Sequence, residues 1–185
     1  QIAGDALEVP FDRIRVRHGS TDHVTEGYGS YHSRSTVMGG SAILLAVDEL
    51  KERIRAVAAP ALGCEPAEVM FDSNRTRGPS DTSLPFSEIS DQPIEAEATF
   101  HNEKCTYAYG SLAAHVAVDP KTGYVEGIDI VSIKDVGRII NPLTLRGQAV
   151  GAIVQVLGGT FLEHLVYDED GQMLTGTLAD YMIPT

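Results

Sequence analysis

Apolar positions recur along this chain with two periods, and the switch between them outlines its elements. From Ile43, the residues Val47, Leu50, Ile54 and Val57 follow at spacings of four and three. Those spacings trace one face of a helix, predicted to run to about Ala59, where Pro60 and Gly63 end it. A second helix is predicted from Pro142 to about Leu165. Asn141 is a good N-cap and proline suits the first helical position. Val150, Ile153, Val154, Leu157 and Phe161 form its apolar face. Residues Gln1 to Leu7 predict a short helix ahead of Pro10. Elsewhere the period is two. Ile14 and Val16 alternate with Arg13, Arg15 and Arg17, which predicts a strand whose arginines form either an anion site or a solvated face. Ala67 to Phe71, Ile94 to Phe100, Ser111 to Val118 and Val125 to Ile133 also read as strands. Asp119 to Gly123 fits the turn of an antiparallel hairpin between the last two. Further turns are expected near Pro85 and at Asp170-Gly171.

Ser73 to Pro93 is rich in Ser, Asp, Pro and Gly, which predicts a linker between two lobes. The expected layout is a first lobe over 1–72, a linker over 73–93 and a second lobe over 94–185. Helices and short strands in this order imply an α+β fold, with two lobes of mixed sheets and packed helices. The 185 residues suffice for such a core.

The formal net charge of −12 makes nucleic acid a poor partner, because phosphate backbones call for a basic face. No apolar run reaches the roughly 18 residues of a membrane span. Cys64 and Cys105 form no CxxC pair, and nothing resembles a secretory leader. A reducing, cytoplasmic setting is expected. The chain starts without Met inside an apparent helix and ends in mid-pattern, which suggests an excised piece or one part of a larger assembly.

Two stretches carry candidate chemistry. The first, GYGSYHSRSTVMGG from Gly27 to Gly40, combines glycines, hydroxyls and one guanidinium ahead of an apolar helix. Such groups can cradle a phosphate at a helix N-terminus, or the stretch can be a flexible connection. It lacks the third glycine of a dinucleotide fingerprint, and no GxxxxGK[ST] is present. The second lies on the predicted helix after Pro142. Gln148, Ala152, Gln155 and Gly159 fall on one line at spacings of four, three and four, so two amides sit nearly above one another. Gly147, Gly151 and Gly158 each cost a helix about 1 kcal/mol against Ala. A ligand or a close backbone would offset that cost; tight packing beside exposed glutamines is the other explanation. His18, His23 and His32 lack HExxH spacing, Asp168 to Gly171 lacks a full calcium loop, and His115 reads as a structural strand residue. No metal ligand set is expected.

Taken in order, QIAGDALEVPFDRIRVRHGSTD, GSYHSRSTVMGGSA, YGSLAAHVAVDPKTGYVEGIDIVSIKDVGRIINPLTLRGQAVGAIVQ and VYDEDGQMLTGTLADYMIPT resemble successive parts of a molybdenum hydroxylase large subunit. This is the family of xanthine dehydrogenase, aldehyde oxidoreductase, aerobic carbon monoxide dehydrogenase and 4-hydroxybenzoyl-CoA reductase. The resemblance implies a molybdopterin cofactor, often the cytosine dinucleotide form, held by His32, Ser33, Arg34, Ser35 and Thr36. Gln155 matches the glutamine of the family pattern GQxxGGxxQG that reaches the cofactor, and Gln148 matches its first glutamine. Ala152 and Val156 stand where that pattern often has glycine. The resemblance further implies iron–sulfur and FAD cofactors on other domains or subunits, and a small substrate such as an aldehyde or N-heterocycle. The expected partners are the remaining molybdenum-subunit segments, an iron–sulfur subunit and a flavin subunit. The family's glycine-glutamine-glycine loop would precede Gln1 and its catalytic glutamate would follow Thr185, so no catalytic residue is expected within this stretch. A non-catalytic structural or assembly subunit, or a degenerate module without cofactor, is the alternative.

Overall fold

The computed structural model describes residues 1–24, 26–32 and 34–184, which form two compact units, Gln1–Thr106 and Tyr107–Thr185. In the first unit, α1 (Ile2–Leu7) stops at Glu8, whose left-handed backbone has a φ of 57°. A π-helical turn, Arg34–Gly39, leads into the long helix α2 (Gly40–Leu62). The two helices meet closely at Gly40, where a Cβ would lie 2.8 Å from Ile2 Cδ1. Lys51 reaches Glu8 across the same contact at 3.8 Å.

The buried face of α2 is Val47, Ile54, Ala58, Ala59 and Leu62. It shares Val47 and Ile54 with the expected stripe, Leu50 is half-buried, and the stripe's outer members Ile43 and Val57 are exposed. The small side chains of Ala58 and Ala59 let Val69, Leu84, Ile89 and Cys64 pack directly on the helix. Burial there, with Glu65 and Glu68 nearby, pushes the Cys64 thiol up from its ordinary range. Pro60 lies inside the helix rather than ending it. Its missing N–H removes one hydrogen bond in the final turn. The helix closes at Gly63, which takes a φ of 67° that few other residues adopt readily.

Three short strands, β1 (Met70–Asp72), β2 (Arg75–Arg77) and β3 (Ser83–Pro85), form an antiparallel sheet in that order. Thr76 is fully buried and donates through Oγ1 to Leu84 O at 3.2 Å. The stretch 73–93 therefore holds two strands and the turn Phe86–Glu88 behind Pro85. Its polar residues make tight corners: Ser73, Asn74 and Asp81 all take positive φ. The boundary between the compact units falls later, between Thr106 and Tyr107.

Among the described residues, two predicted strands do not form. Residues 14–18 follow the 3-10 turn Phe11–Arg13 with no ladder partner, and Val16 is 74% exposed. Residues 94–100 keep the period of two, with Ile94, Ala96, Ala98 and Phe100 half-buried, yet no strand among the described residues pairs with them. One of their carbonyls is used by a side chain instead, with Arg53 Nη1 donating to Glu95 O at 2.7 Å. Alternation marks a half-buried extended backbone; it does not supply the neighbouring edge.

In the second unit, β4 (Tyr109–Val118) and β5 (Val125–Asp135) form an antiparallel hairpin with an irregularity at His115/Val116. The Asp119 carboxylate accepts from Lys121 N at 2.9 Å and Thr122 Oγ1 at 2.8 Å, which holds its carboxyl below the usual range. Helix α3 (Pro142–Phe161) starts as predicted, with Asn141 Oδ1 accepting from Leu143 N and Thr144 N. It ends earlier than Leu165. Leu162 leaves helical geometry, and the N–H groups of Leu162 and Glu163 both turn back to Gly158 O. The fold class is α+β, with antiparallel sheets in place of mixed ones.

Past α3, Tyr181 Oη donates to Glu163 Oε2 at 2.6 Å. Accepting that bond, Glu163 pushes the Tyr181 hydroxyl above its ordinary value. A raised folded value means the contact stabilises fully below the unfolded tyrosine range, near 10, and is lost as pH climbs through the folded value. In a spectrophotometric titration, Tyr181→Phe should remove a high-titrating tyrosine and lessen the alkaline loosening of residues 177–184.

Candidate functional site: an arginine loop and a glutamine-bearing helix

The loop before α2 is shaped around Arg34. Gly29 takes a φ of 80°, and a Cβ there would come within 3.0 Å of the Tyr31 ring. His32 also has positive φ, at 51°, and its ring meets Tyr31 edge-on at 5.6 Å. The chain then turns back, with Arg34 N donating to Tyr31 O at 3.1 Å. This brings the Arg34 guanidinium to 5.2 Å from the Tyr28 ring centroid and 5.9 Å from that of Tyr31. Tyr28 Oη in turn donates to the Glu26 carboxylate, and the hydroxyls of Ser30 and Ser35 are hydrogen-bonded to each other.

Arg34 is half-buried, and its side chain has no hydrogen bond or carboxylate partner among the described residues. Lys51, Arg53, Arg55 and Arg77 differ, each facing Glu8, Glu49, Glu52 or Asp72. A rigid fork of N–H donors without a carboxylate suits a phosphate, which it can bind through two parallel bonds. Ser35 and Thr36 are exposed beside it. Ser33 lies outside the described residues.

Gln148 and Gln155 belong to the other unit. Both lie exposed on α3, seven residues apart. A Cβ at Gly147, Gly151 or Gly159 would meet nothing within 4 Å, so packing among the described residues does not account for these glycines. Gly158 is the exception, being buried. Val156, at a position where glycine was expected to be common, is 67% exposed. The structure thus brings His32, Arg34, Ser35 and Thr36 together on one unit and aligns the two glutamines on the other.

Sequence reasoning missed Tyr28, Tyr31 and Glu26. Two aromatics six and three residues before a lone arginine were the available signal. Among the described residues, no group of three or more His, Cys, Asp or Glu could hold a metal ion. No helix of the described residues is long and apolar enough to cross a membrane.

A profile of the molybdopterin cofactor-binding domain matches residues 1–185, and the chain belongs to that family, the cofactor-binding region of molybdenum hydroxylases. It is 33% identical to subunit gamma of the 6-hydroxypseudooxynicotine dehydrogenase complex of Paenarthrobacter nicotinovorans, covering 100% of this chain and 25% of that protein. It is 26% identical to the carbon monoxide dehydrogenase large chain of Afipia carboxidovorans, covering 100% of this chain and 24% of the relative. Among solved structures, quinoline 2-oxidoreductase from Pseudomonas putida 86 superposes with a TM-score of 0.86 at 32% identity, over 100% of this chain and 25% of that one. The chain therefore spans about a quarter of the length of these relatives.

Each unit by itself carries groups whose chemistry suits part of molybdopterin. The Arg34 fork and nearby hydroxyls suit its phosphate. The glutamine amides can both donate to and accept from a pterin edge.

Proposed function

We propose that this chain holds molybdopterin, as the cytosine dinucleotide, within the large subunit of a molybdenum hydroxylase acting on an aldehyde, N-heterocycle or similar small molecule. The observation that carries this is the Arg34 guanidinium, held against two tyrosine rings yet without a carboxylate partner among the described residues. Arg34 binds phosphate through its fork. His32, Ser35 and Thr36 add shorter donors beside it, Ser33 is assigned to the same cofactor from the family pattern alone, and Gln155 and Gln148 present amides to the polar rings. When bound, the cofactor supplies oxidative hydroxylation of carbon with oxygen derived from water. No residue of this stretch is assigned the proton-transfer step. The remaining segments of the subunit, an iron–sulfur subunit and a flavin subunit complete the assembly, in the cytoplasm. The exposed apolar faces of the second unit, including Leu112, Val131, Ile133 and Val154, support covering by such segments.

A second reading, a non-catalytic structural or assembly module, is favoured by Ala152 and Val156. The test uses the full subunit in its native assembly. Molybdenum, pterin and the CMP released by mild acid are measured per subunit. Equimolar pterin and CMP are expected. Gln155→Ala should lower pterin retention about 5- to 30-fold, as loss of one or two hydrogen bonds implies. Absence of pterin from the native assembly would leave the module reading.

A further inference from the structure

We infer that Tyr28 and Tyr31 are positioning residues that hold the Arg34 fork ready for an anion, an inference resting on the cofactor-binding reading above. Arg34 stands within cation–π distance of both rings, at 5.2 and 5.9 Å. A side chain with this many rotatable bonds would otherwise sample many rotamers and lose that freedom on binding. Each ring, though more than half exposed, has a second contact of its own. Glu26 accepts from the Tyr28 hydroxyl, which restrains that ring from the opposite end to the cation. Tyr31 lies against Gly29, whose left-handed backbone and missing Cβ leave room for it, and is met edge-on by His32. The rings attract the guanidinium without occupying its N–H donors. A carboxylate in their place would fix the arginine equally well and cancel its charge. The arrangement thus holds a cation still while leaving its hydrogen-bonding capacity for a ligand.

The test is a double-mutant cycle in the full assembly, read as pterin per subunit and as the half-life of pterin release on dilution. Tyr28→Leu and Tyr31→Leu should each lower retention roughly 2- to 25-fold, the range one cation–π contact supports. Tyr31→Phe should retain near wild-type loading. In an Arg34→Ala background, the leucine substitutions should have little further effect, because their influence passes through the guanidinium. Equal losses with and without Arg34 would overturn the inference and leave the cofactor reading intact. Unchanged loading in Arg34→Ala itself would remove Arg34 from the site and overturn the inference with it, whereas the cofactor reading falls only if the native assembly holds no pterin. Should the leucine variants fail to fold, a series of progressively fluorinated phenylalanines at position 31 keeps the ring's shape while weakening its negative face. Retention should fall along that series, and a flat series counts against the inference.

Discussion

Arg34→Ala is expected to lower pterin content per assembled subunit about 10- to 100-fold while leaving the melting temperature nearly unchanged. A charge-assisted hydrogen bond contributes about 1.5–3 kcal/mol, and a bidentate pair adds geometric selectivity. Lys51, Arg53, Arg55 and Arg77, which already face carboxylates, offer no replacement. Loss of fold stability should be small because the side chain makes no hydrogen bond or ion pair among the described residues. Arg34→Lys keeps the charge and loses the fork, so its retention should fall between wild type and alanine. Metal and pterin analysis alongside a thermal melt checks both halves. Full loading of Arg34→Ala would remove Arg34 from the site.

The second large effect contrasts glycines on one helix. Gly158→Ala is expected to destabilise by about 2 kcal/mol, even though alanine gains about 1 kcal/mol of helix propensity. A Cβ there would lie 2.9 Å from Pro184 Cδ and would displace the Glu163 carboxylate that accepts from Tyr181. Overpacking costs about 1–3 kcal/mol, and the Tyr181–Glu163 bond is disturbed besides, so the loss outweighs the gain. Gly147→Ala and Gly151→Ala meet open space and should stabilise the chain by about 0.5–1 kcal/mol each. If that face of α3 receives the cofactor, the same two variants should retain less pterin despite a higher melting temperature. A higher melting temperature with undiminished pterin would mean these glycines serve no ligand.

The helices and the long hairpin were legible because their signals are local. Asn141-Pro142 begins α3, Gly63 closes α2, and Asp119 to Gly123 folds the hairpin through bonds within five residues. The failures came where a neighbour decides the outcome. Arg13 to Arg17 and Ile94 to Phe100 alternate like strands, but alternation does not specify which edge is available. Pro60 read as a stop because its ring is costly inside a helix. Placed in the final turn, it costs one bond, and two further residues follow. The composition of 73–93 suggested a linker between lobes, whereas its turn residues serve tight corners between short strands. At the site, the hydroxyl-rich stretch and the line of two glutamines were visible. The stacking of Tyr28 and Tyr31 on Arg34 depends on the backbone reversal at Gly29 and His32, which a linear pattern does not reveal.

All the buried hydrophobic side chains among the described residues, Val47 to Val69, belong to the first unit, while every residue of β4 is exposed. Denaturant sensitivity and the heat-capacity increment of unfolding both scale with the surface newly wetted. Taken by itself, the chain should therefore show a calorimetric transition dominated by α2 and the small sheet beside it. The hairpin and α3 should contribute a shallow, weakly cooperative slope. That slope should steepen into a true transition when other polypeptide covers the ribbon, so calorimetry can report assembly without an enzymatic assay.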